Sequence, residues 1–570
     1  MQIKFSKEEF LVLTAGCLGV AMAFYVYHLG LTRVLTDQNA HLNFAKLTVE
    51  SMTPGISQLG FWPPLLHILM IPATLIDPLY QTGLAGFVVL VPFLALGAFF
   101  LYRTVLGVTN NSTLGLTAGL LFLTNPYVLY YAVTPMMEVL FLANLAGVAY
   151  FMSVWLRGAK LKFLILLGIF VALTTISRFE GLILLPVCGF LIFLRMRQKK
   201  RPGREIEAAL VLFLSVASFG MFGVMLYGWV FGGTPFAFTG GWWIRDPSSF
   251  PTQYNLFRSI QYLLHASSYM LGKPLMLVSL LSVIPLFVFS SKRIHLFAPL
   301  LILVSPFIFI AITLFRGFPP LMVPELAPFG VFFNERYGLS WIGFAILSPI
   351  FLIALVQHEL MLSKIKAVSR IAVGLLCFLL LVGSGMHFQQ KVFAEQFQEI
   401  RKNLGVDNPS QKEITKILVL EYDYGKILVT RTINDGMMSS LGIPLDNFIY
   451  EANDQLYRQT IEEPWFFARW VVMYNPKGGD DWEGAHEPIA LRWGNSSLFE
   501  RFYTLEGENT LRRLYKVNEG ALIKLSEEHG YDLASIPSLN KEQVRWDPHT
   551  IYAQIRKGVQ GTQQQFLSSN

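Results

Sequence analysis

The sequence predicts an α-helical polytopic membrane protein of about eleven transmembrane helices, followed by a C-terminal extracytoplasmic α/β domain. Three observations lead there. The 570-residue chain is 53% hydrophobic and only 15% charged, with a mean hydropathy of +0.47, whereas an average soluble domain is about 25% charged. The apolar residues are gathered in long uncharged runs rather than spread through the chain. Charge is also split unevenly: residues 1–387 hold 25 Lys and Arg against 13 Asp and Glu, a net of +12, while 388–570 hold 20 against 25, a net of −5. A transmembrane domain over 1–387 and a soluble domain over 388–570 follow.

A helix needs about 20 residues to cross roughly 30 Å of hydrocarbon. The runs that meet or approach this length are 10–30, 84–102, 112–131, 139–156, 208–230, 274–290, 296–315, 337–357 and 371–386. Two shorter runs, 163–177 and 181–194, flank Arg178 and Glu180 and together are too long for one crossing, so they read as two spans meeting at one face. Residues 61–76, FWPPLLHILMIPATLI, are short and carry three prolines and His67. Pro63 and Pro64 suit a helix start, and the segment reads as a helix lying at the outer interface. The first run is too long for a typical secretory signal and lacks an obvious cleavage site, so it is taken as a retained span.

Loops rich in Lys and Arg orient the chain. One face collects Lys4, Lys7, Arg103, Arg157, Lys160 and Lys162, then Arg195, Arg197, Lys199, Lys200, Arg201 and Arg204, and finally Lys292, Arg293, Lys364, Lys366 and Arg370. With these in the cytoplasm the N-terminus is cytoplasmic, and eleven crossings place 388–570 outside a multi-pass cell membrane. The basic residues sit in short clusters between apolar runs, which excludes a nucleic-acid-binding face. Cys17, Cys188 and Cys377 all lie in apolar runs, so neither a disulfide framework nor a zinc spacing is present.

The C-terminal part has β-like runs at Lys426–Thr430, Phe448–Tyr450 and Trp470–Tyr474, a helix-like stretch from Asp435, and a final pair near Phe502 and Leu514. The last dozen residues are a polar tail.

The acids before residue 388 are sorted by side. Asp37, Glu50, Asp77, Glu138, Glu180, Asp246, Glu325 and Glu335 fall on the outer side or at outer span ends, and none falls at mid-membrane. Ion-coupled transport usually needs ionisable groups or broken helices near the midplane; chemistry at the outer boundary does not. Arg178, Arg245, Arg316 and Arg336 share that face, and arginine holds phosphate by paired, charge-assisted hydrogen bonds. An outward cavity with carboxylates and arginines beside lipid suits a lipid-linked phosphate sugar.

Five stretches in this order, TDQNAHLNFAK (36–46) in the outer loop after the first span, WPPLLHIL (62–69), TPMMEVLF (134–141), SRFEG (177–181) and NERYGLSW (334–341), resemble the GT-C superfamily of integral membrane glycosyltransferases. Within it the membrane half is similar to the protein mannosyltransferase and aminoarabinose transferase branch, which uses polyprenyl- or dolichyl-phosphate sugars. The resemblance implies transfer of a hexose or pentose, with inversion, to an acceptor hydroxyl on a protein, lipid or glycan. It gives Asp37 the role of general base, places Arg336 of the Arg-Tyr pair near the donor phosphate, and aligns Glu138 with a second-loop acid. Pro63 and Pro64 match a helix bordering the cavity, and Arg178 with Glu180 an outer-facing pair, Arg178 being a second candidate for the phosphate. Where the family often has Asp-Glu, this chain has Asp37-Gln38. His41, one helical turn after Asp37, His67 and Arg245 are candidate cavity residues.

The chemistry of these groups is consistent with those roles. A carboxylate is only weakly basic at neutral pH, so proton abstraction must be concerted with departure of the phosphate, or burial must strengthen the base. Positive charge developing at the sugar C1 is stabilised by nearby acids. Phosphate departure needs cations, supplied by arginine or by a divalent metal, with no other cofactor implied. Plainer readings stand beside these: Asp37 as a helix cap or solvated acid, Arg178 and Glu180 as a structural ion pair, Arg336 as a headgroup anchor with Glu335 at its rim. A transporter or flippase of lipid-linked or polar substrates, and an assembly factor acting through its outer domain, are the alternative functions. The enzymatic reading requires Asp37 and Arg336 to meet.

Overall fold

The computed structural model describes residues 6–541, apart from 61, 237–253, 291–293, 318–333 (but for Leu321, Val323 and Leu326), 360–408 (but for Gly374 and Val382), 476, 479, 484–486 and 530–535. The expected span 371–386, the break at 387/388, Arg245 and the polar tail lie outside the described residues. The described chain forms two compact units: Met1–Leu42 with Gly60–Ile400, and Asn43–Leu59 with Arg401–Asn570.

The first unit is helical. Its elements are α1 (Lys7–His28), α2 (Thr36–Glu50, whose last turns belong to the second unit), α3 (Leu65–Thr74), α4 (Asp77–Thr82), α5 (Ala85–Thr109), α6 (Ser112–Leu123), α7 (Pro126–Val133), α8 (Glu138–Gly158) and α9 (Leu161–Thr175). After a 3-10 turn at Phe179–Ile183 come α10 (Leu184–Gln198), α11 (Gly203–Ala217), α12 (Phe219–Gly232), α13 (Leu256–Leu271), α14 (Lys273–Ser290) and α15 (Ile294–Phe315). A second 3-10 turn, Glu335–Trp341, leads into α16 (Ile342–Glu359). Local chemistry starts several of them: Ser6 and Glu9 form a capping box on α1, and the Asn125 side chain accepts from the amides of Tyr127 and Val128 at the start of α7, with Pro126 in its first turn.

Six helices, Lys7–His28, Ala85–Thr109, Glu138–Gly158, Phe179–Gln198, Ile294–Phe315 and Glu335–Val356, are long and apolar enough to cross a membrane. The pairs α6–α7, bent by 62°, and α11–α12, bent by 42°, raise the number to eight. The Asn-Pro step at 125–126 accounts for the sharper bend. Ten of the eleven expected runs coincide with helices, but Leu161–Thr175 and Lys273–Val283 fall short of a full crossing, so the count of eleven is not reached among the described residues. The core of the unit is formed by α5 and α8 packed on each other, with α6, α9 and α15 against them.

One expectation is overturned. Residues 36–46 read as a loop because they are polar, yet they lie in α2. Gln38, Asn39, His41, Asn43 and Lys46 are all buried, and those with hydrogen bonds to give have found acceptors: Gln38 Nε2 donates to the Tyr130 hydroxyl at 3.0 Å, and Asn39 Nδ2 to the Leu35 carbonyl at 3.1 Å. Buried polar groups that find partners share this helix with buried Leu42, Phe44, Ala45 and Leu47, so it is covered on more than one side.

The second unit is a five-stranded mixed sheet with helices. Its strands are β1 (Ile427–Leu428), β2 (Phe448–Ile449), β3 (Trp470–Tyr474), β4 (Tyr503–Glu508) and β5 (Arg512–Val517), in the order β2-β1-β3-β5-β4. β1 runs parallel to both β2 and β3, whereas β5 is antiparallel to β3 and β4. All five strands fall on the β-like runs of the sequence, and the helix-like stretch from Asp435 is the short helix Asp435–Met438. Within this unit, residues 43–59 are tied to the rest by Asn43 Nδ2 donating to Asp435 Oδ1 at 2.6 Å, by Glu50 accepting the Leu445 amide at 2.9 Å, and by the Tyr450 hydroxyl donating to Gln58 at 2.7 Å.

Candidate functional site

Four segments of the first unit, far apart in sequence, bring ionised side chains to one place. Asp37 comes from the first turn of α2 and Glu138 from the first turn of α8. Arg178 and Glu180 flank the start of one 3-10 turn, and Arg336 lies near the start of the other. Two glycines allow these turns to sit where they do. A Cβ on Gly338 would lie 2.4 Å from the backbone of Ala266 in α13, and one on Gly181 would lie 2.6 Å from the Thr175 amide in α9. Only glycine permits approaches this close.

The charges alternate along a chain. Arg336 Nη2 donates to Asp37 Oδ2 in a short ion pair. Arg336 Nε stands 3.3 Å from Glu138 Oε1. Arg178 Nη1 donates to that same oxygen at 2.6 Å, and Arg178 Nη2 and Nε reach Glu180 Oε1 at 2.8 and 3.0 Å. The Tyr337 ring lies under the Arg178 guanidinium at 4.8 Å. Three carboxylates thus share two guanidiniums. Asp37 is the most open member, its side chain 28% exposed against 4% for Glu138. The crevice lined by Glu138, Phe141, Arg178, Glu180, Arg336 and Ser340 has a free volume of about 10 Å³, room for one water molecule.

The two histidines pair with each other. His41 Nδ1 and His67 Nε2 are 2.8 Å apart, one of them carrying the shared proton, and the Trp62 ring covers His41 at 4.6 Å. Burial, then the neighbouring His67, Arg336 and Arg178, holds His41 well below the usual histidine range, so it is neutral at pH 7. Gln38, where the resembled family often carries a second acid, is buried and spent on structure, its oxygen accepting the Leu35 amide at 2.9 Å.

Of the residues the sequence singled out, Asp37, Glu138, Arg178, Glu180 and Arg336 therefore form one cluster, and His41 and His67 form a buried pair whose electrostatic neighbours include both arginines. Arg245 lies outside the described residues. Glu335 is buried, whereas Arg336 pairs with Asp37 and Glu138. Sequence reasoning named Tyr337 only as the tyrosine of the Arg-Tyr pair and missed Ser340 and Tyr131. Tyr337 and Ser340 stand in the NERYGLSW stretch, one and four residues after Arg336, so the 3-10 period that carries Tyr337 to Ser340 was the available signal. Tyr131, whose hydroxyl is buried without a protein partner, is one aromatic among many in an apolar run and gave none.

A divalent metal was left open by the sequence. Among the described residues no group of three or more His, Cys, Asp or Glu side chains could hold an ion, and Asp37, Glu138 and Glu180 each face an arginine. The residues as arranged do not fit a metal, and no step is derived through one.

These features define a class: a helical protein with membrane-spanning helices, a C-terminal α/β unit and a buried ladder of alternating charge. No protein-family model matches the chain, and no curated protein matches it. Among solved structures it is similar to the Archaeoglobus fulgidus oligosaccharyltransferase in complex with Zn and sulfate, at 10% identity and a TM-score of 0.48, over 87% of this chain and 71% of that one. It is also similar to the archaeal oligosaccharyltransferase AglB from Archaeoglobus fulgidus with an inhibitory peptide and a dolichol-phosphate, at 9% identity and a TM-score of 0.47, over 88% and 74%. The apo form of the former gives 11% identity and a TM-score of 0.46, over 85% and 72%. Likeness below a TM-score of 0.5 does not establish a common fold.

Proposed function

We propose that the protein is a GT-C-type membrane glycosyltransferase that moves a sugar from a polyprenyl-phosphate-linked donor to an acceptor hydroxyl at the extracytoplasmic face. The reading rests on one observation: Asp37 and Arg336, 299 residues apart, meet in a partly buried ion pair that is continuous with Glu138, Arg178 and Glu180. A base and a phosphate-binding cation stand side by side, as transfer from a phosphate leaving group requires.

The pairing suggests an order of events. The donor's phosphodiester is an anion entering a site whose arginines are already paired, so it binds by taking Arg336 from Asp37. The exchange stabilises the phosphate that must leave and frees the carboxylate that must accept a proton. The acceptor oxygen then bonds to the sugar C1 from the face opposite the phosphate, and the C1–O bond to the phosphate breaks. The acceptor's proton passes to Asp37, and polyprenyl phosphate departs. Glu138, held by both arginines, lies beside the developing positive charge at C1. A hexose or pentose is the expected cargo, and a protein, lipid or glycan hydroxyl the acceptor.

The test is incubation of the purified full chain with radiolabelled polyprenyl-phosphate hexoses and pentoses. Release of polyprenyl phosphate with label in an acceptor is expected. Absence of turnover across the panel, with donor lipid bound no better than polyprenol, refutes the assignment.

A further inference from the structure

The inner side of the charge ladder carries polar atoms that the ladder itself does not use. Glu138 Oε2, Arg336 Nε and Ser340 Oγ are all buried without a protein hydrogen-bond partner, and all three residues line the one crevice described above. The Arg336 Nε contact with Glu138 Oε1, at 3.3 Å, is an ion-pair contact outside hydrogen-bond geometry. Buried polar atoms left unmatched are costly, and several facing one small space need a common occupant.

The polarity of the three atoms restricts that occupant. Glu138 Oε2 can only accept, Arg336 Nε can only donate, and Ser340 can do either. A phosphate oxygen would face the carboxylate with like charge, and an ammonium would face the arginine. A hydroxyl both donates and accepts, and the free volume of about 10 Å³ is the size of one oxygen with its proton. The rest of the lining is the apolar Phe141, Leu142, Ile310 and Leu339 with Tyr337 and the Arg178–Glu180 pair, whose members already bond to each other.

We infer that this crevice seats a single non-reacting hydroxyl of the donor sugar, with Glu138 and Ser340 as specificity-determining residues; the inference rests on the glycosyl-transfer reading above. The reacting hydroxyl belongs to the acceptor and lies at Asp37, the most open carboxylate of the ladder, 28% exposed against 4% for Glu138. The hydroxyl at Glu138 therefore keeps its proton throughout, donating to Oε2 and accepting from Arg336 Nε and Ser340. Sugars that lack this hydroxyl, or carry a methyl ether in its place, leave a buried carboxylate oxygen and a guanidinium nitrogen unpaired.

The experiment compares the best polyprenyl-phosphate hexose with its monodeoxy analogues, using the full chain in lipid nanodiscs. One deoxy position should lower kcat/KM roughly 10- to 100-fold, and the others less than about threefold. Ser340→Ala should lower kcat/KM for the parent sugar several-fold and leave the sensitive deoxy analogue unchanged, narrowing the ratio between them, a readout that a merely structural serine would not move. Wild-type activity on every analogue within about threefold, the result expected if only water occupies the crevice, overturns the inference, as does a ratio unaltered by Ser340→Ala. Both of those outcomes leave glycosyl transfer standing, whereas failure to use any polyprenyl-phosphate sugar removes the two together.

Discussion

Replacing Asp37 by Asn should move binding and turnover in opposite directions. The carboxylate occupies Arg336 in the resting protein, so an incoming phosphate competes with it. Asn keeps the shape and one acceptor but loses the charge, turning a charge-assisted bond into a neutral one. Charge-assisted hydrogen bonds contribute about 1.5–3 kcal/mol against about 1 for neutral ones. Because the Asp37 side chain is 28% exposed, solvent screening places the difference at the low end, near ~0.5 kcal/mol. Released competition of that size tightens polyprenyl phosphate binding about twofold. Transfer, deprived of its base, should fall about 10²- to 10⁴-fold. Polyprenyl phosphate is the leaving group, so its affinity can be measured by equilibrium binding to protein in nanodiscs before the sugar is known, with polyprenol as the uncharged control. Binding unchanged or weakened in Asp37→Asn would refute the exchange, and retained transfer would refute the base.

Three further outcomes are expected. Arg178→Met strands Glu180, whose ion-pair partner is Arg178, and should cost about 3–5 kcal/mol of stability; adding Glu180→Gln should restore more than half, read as the thermal midpoint in detergent. Gly338→Ala forces its methyl against the α13 backbone, 2.4 Å away, and should cost about 1–3 kcal/mol while weakening polyprenyl phosphate binding, because the turn that carries Arg336 must shift. In the second unit, burial, reinforced by the charge of Glu451, pushes the Glu487 carboxyl up to about 7 from the usual carboxylate range near 4.5, against the bonds it accepts from Thr430 and Ala490. A raised folded pKa means that the folded state binds the proton more tightly, so stability is fullest below about pH 4.5, declines up to about pH 7 and stays lowered above by roughly 3 kcal/mol. Glu487→Gln should flatten that decline in thermal unfolding followed from pH 5 to 8; an unchanged pH slope would remove Glu487 as its cause.

The sequence made different parts of the molecule readable for different physical reasons. Apolar length is a strong signal, so ten of the eleven expected runs lie on helices, and short β-rich runs marked all five strands of the C-terminal sheet. α2 was hidden because Gln38, Asn39 and Asn43 are buried beside its apolar Leu42, Phe44 and Leu47; polar residues in sequence carry no label saying that they will be buried. The same holds for the division of the chain. The composition shift near 387 marked the start of the hydrophilic part, but nothing in residues 43–59 told that they would join it through Asn43, Glu50 and Gln58. The ladder was readable only as a list of outer acids and arginines. Which acid meets which arginine depends on the close approach of Gly338 and Gly181 to neighbouring backbones, a tertiary fact without local sequence counterpart. Ser340 fell below notice for a related reason, since a serine gains meaning only from the unmatched atoms it faces.

The charge count of the ladder bears on how turnover would end. A site meant to hold phosphate permanently would carry more guanidinium than carboxylate. Here Asp37, Glu138 and Glu180 outnumber Arg178 and Arg336, so the cluster is complete, and formally anionic, without a ligand. Phosphate can be held only while something displaces Asp37, and the carboxylate stays tethered one bond rotation away on α2. After transfer, Asp37 has gained the acceptor's proton; once that proton is lost to solvent, the ionised carboxylate competes again for Arg336 and favours expulsion of polyprenyl phosphate. Asp37→Asn, which cannot regain charge, should therefore hold the product lipid longer than the wild-type protein does. A release rate for polyprenyl phosphate that is the same in wild type and Asp37→Asn would show that the ion pair does not drive the cycle.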